Sequence, residues 1–244
     1  MGVQQSTISS SESKNFGFRI YKLKKDEILF NSGLKELEDF IIPPPDLTSK
    51  NLSFIDWLNL NKEKKITLKI FSLTKRNFRT IEINNNNNNN PNEKILGASI
   101  RFENYIKAIK KVLHVIKIKE NSFSQLVLKL EENNDFLIGI QPKGKEIFSL
   151  NVSNKNPLNY FSQLIKENKG NECDFFIYNI NKGAKIVNAI IENNKNFSLG
   201  CDVAFGALHY FPNKSEINLN EELKGLKDDE DEKEEIEMNI NYNV

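Results

Sequence analysis

An eight-residue pattern built around a glycine occurs twice in this chain, and it constrains the fold more than any other feature. The first copy, ILGASIRF, is residues 95–102, and the second, SLGCDVAF, is residues 198–205. Each copy predicts a tight turn followed by an alternating strand, because glycine accepts backbone shapes that a Cβ forbids and leaves the next N–H groups free. The matching leucines, Leu96 and Leu199, are 103 residues apart. This spacing predicts a duplicated domain.

Other predicted elements occur in the same order in both halves, which supports the duplication. The pairs are a first strand (Phe18 to Leu23, and Leu113 to Ile118), a second strand (Asp39 to Ile42, and Asp135 to Ile138), a helix (Phe54 to Leu58, capped by Ser53, and Tyr160 to Leu164) and two more strands (Ile66 to Ile70 with Phe78 to Ile83, and Phe176 to Asn179 with Ile186 to Ile191). The offset between partners grows from 96 to 106 residues, so an insertion is expected between Gly139 and Pro157.

Composition is that of a soluble globular protein, with 39% apolar and 27% charged residues in 244, enough for two domains of about 100 residues. The cysteines, Cys173 and Cys201, form no CxxC, which fits a reducing cytosol. We expect no membrane span and no secretory signal, since no apolar run approaches about 20 residues.

Charge is distributed unevenly along the chain. Residues from Lys214 onward hold 11 acids and 4 bases, so the preceding residues carry +8 of an overall +1. That positive charge is spread thinly, so no nucleic-acid partner is expected. The acidic segment 213–244 is predicted to be a disordered tail, with a solubilising role and a docking role both open.

Both the N-terminal segment and an internal loop have compositions that do not predict packed structure. Residues 1–6, MGVQQS, fit the pattern for N-myristoylation of Gly2, although Gly also follows the initiator Met by chance. A Ser-rich tether follows, so 1–14 is predicted to be a flexible, lipid-modified N-terminus. Asn84–Asn90 form a polar low-complexity loop directly before the first octet.

A glycine turn that leads into a strand beside a helix is the arrangement found in peptide-binding grooves. An extended peptide adds a strand to the sheet edge, and free turn N–H groups meet its carboxylate or a carbonyl. In ordinary PDZ domains the turn and strand come early, whereas here they come last in each repeat. The predicted fold is therefore α+β: two tandem circularly permuted PDZ-like domains, each a small antiparallel barrel or sandwich with capping helices.

Several stretches match one known family. They are Met1-Gly2, Gly17-Phe18-Arg19-Ile20, Ser32-Gly33-Leu34 with Asp39-Phe40-Ile41, Leu96-Gly97-Ala98-Ser99-Ile100-Arg101-Phe102, and Ser198-Leu199-Gly200-Cys201 continuing to Leu208-His209. On these residues the chain resembles the Golgi reassembly and stacking protein (GRASP) family over about residues 1–212. The resemblance implies domains at 15–105 and 108–212, myristoylation at Gly2 and attachment to the cytosolic face of Golgi membranes. It also implies binding of golgin-like coiled-coil proteins and membrane-protein tails, self-pairing, and a role in Golgi organisation or unconventional secretion.

The resemblance also suggests which residues form the two grooves. The first would use the turn Leu96, Gly97 and Ala98, the strand residues Ser99, Ile100 and Phe102, and Phe54 and Leu58 on the helix. The second would use Leu199, Gly200 and Cys201 with residues 202–205, opposite Phe161 and Leu164. In the family, the segment after the second groove can act as an internal ligand, here Leu208, His209 and Tyr210. A plain hydrophobic seal on the second domain explains that segment equally well.

The chain departs from the family's pattern at positions in both repeats. Animal members carry a His and a Cys that can share a zinc ion with a partner, and the matching positions here are Arg19 and Glu103. Arg cannot ligate zinc, so neither a metal site nor a cofactor is predicted. In the second repeat, Lys129 replaces the glycine that ends the short helical turn at Gly33.

An enzymatic function is not predicted. The chain has only two histidines, His114 and His209, and no G-x-S-x-G, H-E-x-x-H or P-loop motif. Cys201 with His209 is the one imaginable nucleophile pair, but a small residue packed beside the glycine turn explains Cys201 better, since Ala98 holds the same place in the first repeat. The alternative function is a soluble cytosolic peptide-binding adaptor without a membrane role.

Overall fold

The computed structural model describes residues 15–25, 27, 29–50, 52–61, 65–84, 97–151, 156–213 and 238–239. The first half contains strands β1 (Phe16–Leu23), β2 (Asp39–Ile41), β3 (Lys65–Ser72), β4 (Asn77–Asn84) and β5 (Ala98–Asn104), with helices α1 (Pro45–Ser49) and α2 (Phe54–Leu60). Helix α3 (Tyr105–Lys110) spans the predicted domain boundary. The second half contains β6 (Leu113–Ile118), β7 (Asp135–Pro142), β8 (Phe148–Ser149), β9 (Glu172–Asn179), β10 (Gly183–Ile190), β11 (Cys201–Ala204) and β12 (Met238–Asn239), with α4 (Phe123–Leu126) and α5 (Pro157–Glu167).

The two halves have the same sheet topology. The first sheet runs β4-β3-β2-β1-β5 and the second β10-β9-β7-β6-β11, with antiparallel neighbours throughout. Strand β8 lies within the predicted insertion and pairs with β7. The predicted duplication and the α+β class are therefore confirmed.

The expected closure into barrels is not seen. In the described part of the chain, β4 and β5 lie at opposite ends of the first sheet, and β10 and β11 are likewise separated by the strands between them. Each sheet is therefore open. Its apolar face is covered by helices and by the other repeat, instead of by its own closure.

Local sequence accounts for the short helical elements. Ser53 caps α2, since its side chain accepts a hydrogen bond from the Asp56 N–H at 3.1 Å. The 3₁₀ turn Phe30–Ser32 ends at Gly33, whose φ is +78°. Lys129, the residue that replaces this glycine in the second repeat, also has a positive φ, +49°. The backbone shape has been kept although the glycine has been lost.

Three buried apolar clusters lie within the part of the chain that the structure describes. One lies in the first repeat and contains Phe54 and Ile70, and another lies in the second repeat and contains Phe161 and Phe175. The third is shared: Tyr21, Phe40, Phe71, Tyr105 and Ile109 pack there with Phe136, Ile138, Phe176, Tyr178 and Phe211. Each such side chain contributes about 1.5–3 kcal/mol by leaving water, so the junction between repeats is a core in its own right.

Of the segment 213–244, which is predicted to be disordered, the structure describes Asn213 and two residues near the end, and the rest lies outside the described residues. Met238 and Asn239 form β12, which pairs antiparallel with β11. The sheet edge supplies backbone partners for these two residues, which a chain segment without packing would lack.

Candidate peptide-binding site

The two glycine turns have the left-handed backbone that the octets predict. Gly97 has a φ of +54° and Gly200 a φ of +71°. The carbonyl oxygen of each glycine accepts a hydrogen bond from a lysine N–H: Lys24 at 2.6 Å in the first repeat and Lys119 at 2.8 Å in the second. The two turns therefore match in the backbone conformation of the glycine and in its hydrogen bond to the residue that follows the paired strand, β1 or β6.

Both turns also leave no room for a side chain at the glycine. A Cβ on Gly97 would lie 2.1 Å from the Cβ of Glu27, and a Cβ on Gly200 would lie 2.3 Å from the Cβ of Ser122. Glycine is thus required twice over, by the positive φ and by this close approach.

Strand β5, which follows the first turn, is the terminal strand of its sheet among the described residues. Ala98 and Ile100 are half-buried and pack against the apolar cluster that contains α2. Phe102 lies on the same face of the strand. Ser99 lies on the opposite face and is also half-buried. This arrangement supplies an open strand edge next to partly exposed apolar side chains, as strand addition by a peptide requires.

An aromatic row crosses the first sheet toward α2. The Phe16 and Phe102 ring centroids are 5.4 Å apart, those of Phe102 and Phe18 are 5.0 Å apart, and those of Phe18 and Phe54 are 4.9 Å apart. Phe16 and Phe18 were missed as candidate groove residues. The signal was present in the alternation Phe16-Gly17-Phe18, which places both rings on the Phe102 face.

The two helical residues predicted to form a wall of the first groove are almost fully buried. Phe54 is 4% and Leu58 is 2% exposed, so both belong to the domain core beneath the sheet face. The large apolar side chains of α2 that meet solvent are Ile55 and Leu60.

The second groove is closed to a greater degree. Leu199 and Cys201 are 2% and 4% exposed, and Phe161 and Leu164 on α5 are buried. The N–H of Gly200 donates to the Ser198 hydroxyl at 3.1 Å, so this turn N–H already has an acceptor within the chain. The outer edge of β11 carries β12.

The segment predicted as an internal ligand is a 3₁₀ turn, Ala207–His209, and not a strand. The Leu208 side chain is 78% exposed. His209 Nδ1 lies 3.0 Å from His114 Nδ1, and Tyr210 is half-buried beside the shared core. The residue that follows this segment, Phe211, is buried, and its N–H donates to the Ile109 carbonyl at 2.8 Å.

A buried polar network occupies the positions where animal relatives were expected to hold zinc. The Arg19 guanidinium donates to the Leu37 carbonyl at 2.8 Å and lies 4.0 Å from the Glu103 carboxylate. Glu103 also accepts from the Tyr21 hydroxyl at 2.9 Å and from the Asn151 amide at 3.2 Å. Burial, together with the Glu103 charge, raises the pKa of Tyr21, so its phenol stays protonated and donates. The network joins both repeats through Asn151.

No described group of three or more His, Cys, Asp or Glu residues could hold a metal ion. Burial raises the pKa of the Cys201 thiol to about 11, so it is not a ready nucleophile at neutral pH. His209 contacts His114, whose pKa is lowered chiefly by burial. The imaginable Cys201–His209 pair therefore lacks an activated thiol.

Two predicted site residues, Gly2 and Leu96, lie outside the described residues. Among the helices that are described, none has the length and apolar character needed to cross a bilayer.

Comparison with known proteins supports the resemblance stated above. A family model described as the GRASP55/65 PDZ-like domain matches residues 68–214, more than half of the chain. The human protein named Golgi reassembly-stacking protein 1 is 25% identical over 205 residues, which cover 80% of this chain and 43% of the human protein. Its mouse counterpart is 24% identical over 204 residues, covering 80% and 42% of the two chains.

A fungal protein is similar at the same level. An uncharacterised protein of Schizosaccharomyces pombe is 24% identical over 209 residues, covering 84% of this chain and 56% of its own length. The chain thus spans between 42% and 56% of the length of these relatives. The family model and the two repeats with their matching glycine turns lead to one conclusion: this chain belongs to the GRASP55/65 PDZ-like domain family.

Proposed function

We propose that this chain is a non-enzymatic membrane scaffold that binds extended peptide segments at Gly97 and strand β5. The observation that carries the proposal is the unpaired outer edge of β5 within the described residues, next to the half-buried Ala98 and Ile100. Its ligands would be tails of golgin-like coiled-coil proteins, tails of membrane proteins, or a second copy of the chain. The names of the human and mouse relatives support a place at Golgi membranes and a role in Golgi organisation.

Membrane attachment in this proposal depends on two weak contacts. A single myristoyl group on Gly2 binds a bilayer only marginally and reversibly. A groove-bound partner on the same membrane supplies the second contact, and the two multiply through effective concentration. The same pairing would orient the molecule on the cytosolic face, so that copies on facing membranes could associate.

Replacing Gly97 by Asp should abolish self-association through the first groove. A side chain there would overlap Glu27 and force the turn out of its left-handed conformation. Sedimentation velocity over a concentration series measures this, with circular dichroism to verify the fold. Gly144→Asp is the matched control, because Gly144 also has a positive φ, +74°, but open space around it. Unchanged association in the Gly97 variant would remove the first groove as the binding site.

Replacing Gly2 by Ala should release the protein from membranes into the soluble fraction, because the enzyme that attaches the myristoyl group requires an N-terminal glycine. Flotation of cell membranes followed by immunoblotting measures the distribution, and mass spectrometry of the native N-terminus detects the acyl group. An unacylated native protein whose distribution does not change in the variant would favour the soluble adaptor.

A further inference from the structure

The outer edge of β11 is already occupied by a strand from the same chain. Asn239 pairs with Asp202 and Met238 pairs with Val203, both antiparallel. The inner edge of β11 pairs with β6. Its counterpart in the first repeat, β5, has a strand on one side only within the described residues. The added tail strand therefore distinguishes the edge of β11 from the equivalent edge of β5.

The direction of this pairing is that of a peptide ligand entering the groove. Because Asn239 lies opposite Asp202 and Met238 opposite Val203, increasing residue number along the tail leads toward Gly200. Strand addition with the carboxyl side of the peptide directed at a turn rich in backbone N–H groups is a recurrent mode of peptide recognition.

The tail sequence around β12 has the pattern of a strand. Apolar and polar residues alternate along it: Ile236, Met238, Ile240 and Tyr242 are separated by Glu237, Asn239 and Asn241. A sequence period of two is the pattern that favours an extended strand. The preceding acidic run has no such alternation, so the segment is a distinct unit within the tail.

Reach allows the tail to bind its own chain, and charge favours its binding to residues 1–213. About 25 residues separate Asn213 from Met238, and an extended chain of that length spans up to about 80 Å. The tail has 11 acids against 4 bases, whereas residues 1–213 carry a net charge of +8. Tethering of a ligand to its own binding site typically gives an effective concentration on the order of 1 mM.

We propose that the tail segment that contains β12 is an internal ligand that occupies the second groove of its own chain, so that the first groove alone is open to partners. This inference deepens the proposed function, since it depends on the glycine-turn grooves being peptide-binding sites. It differs from the family's internal ligand, which would be the segment at Leu208 to Tyr210 acting on the first groove of a neighbour.

The test compares two proline pairs placed in the full-length chain. Met238→Pro with Asn239→Pro removes backbone N–H groups from β12, whereas Asp229→Pro with Glu230→Pro makes the same change in the acidic run. Amide hydrogen exchange is followed by mass spectrometry on peptides that cover 200–205 and 97–104. The first pair should speed exchange at 201–204 by about tenfold, because the tail strand then no longer covers the outer edge of β11. The second pair should change nothing.

A synthetic peptide of residues 233–244, added to the first variant, should restore slow exchange at 201–204 and leave 97–104 unaffected. Equal exchange in the wild-type chain and the first variant would overturn the proposal, as would protection by the peptide at 97–104. Protection that rises with protein concentration would place the tail in a second copy and overturn it also. Failure of the proposed function would be detected by a different experiment, the sedimentation of the Gly97→Asp variant, in which self-association would persist.

Discussion

Replacing Arg19 by Met should lower the free energy of unfolding by about 3 kcal/mol, because the Glu103 carboxylate is then buried without its nearest fully buried cation. The Leu37 carbonyl loses its guanidinium donors in the same change. Arg101 remains 3.6 Å from Glu103, but it is partly exposed and already donates to the Ile147 carbonyl. Urea unfolding followed by tryptophan fluorescence gives the free energy, with Trp57 as the chromophore.

A second substitution separates the charge effect from lost packing. Adding Glu103→Gln to Arg19→Met should recover most of the loss, because the pair is then neutral and the Gln oxygen can still accept from Tyr21. The exposed ion pair of Lys65 and Glu82 is the control, and Lys65→Met should change stability by less than about 1 kcal/mol. Additive losses in the double variant would contradict the view that Arg19 and Glu103 act as a pair.

Replacing Phe211 by Ala should destabilise the protein by about 3–5 kcal/mol. The Phe211 ring is 1% exposed and lies 4.6 Å from the Tyr178 ring, in the core shared by the two repeats. Its carbonyl also accepts from the Arg76 guanidinium. Thermal and urea unfolding measure the loss.

The matched variant at the other end of the segment distinguishes the two roles predicted for it. Leu208→Ala should leave stability within about 0.5 kcal/mol, because the side chain is 78% exposed. If the segment is only a seal, Leu208→Ala also leaves self-association unchanged. Reduced association in Leu208→Ala, with stability intact, would instead support an internal ligand for a neighbouring copy.

Local rules were sufficient for the backbone of the two turns. Gly97 and Gly200 were predictable because a positive φ and a close approach both require glycine. The sequence shows this requirement by repeating the glycine within the same eight-residue pattern. The Ser53 cap was predictable for a similar reason, since the cap acts over three residues.

What depends on packing between distant segments was not predictable in the same way. Phe54 and Leu58 have a spacing that fits a groove wall and a core equally well. Both side chains are buried, and their contact with a peptide stays a prediction. Closure of a sheet into a barrel depends on whether its two edge strands pair with each other. The periodicity of apolar residues in the sequence does not show whether they do. The pairing of β12 was not predicted, because the acidic composition of the tail predicts disorder for its whole length. The short alternating segment within the tail contributes little to that overall composition.

The core shared between the repeats has a consequence for how this gene can change. Either half expressed alone would expose an apolar face: Phe40 and Phe71 on one side, Phe136 and Phe176 on the other. An ancestral single copy would have exposed that face to water or covered it with a second copy of itself, whereas the two copies in this chain cover it for each other. Recombination that separates the two copies would expose the apolar face of each.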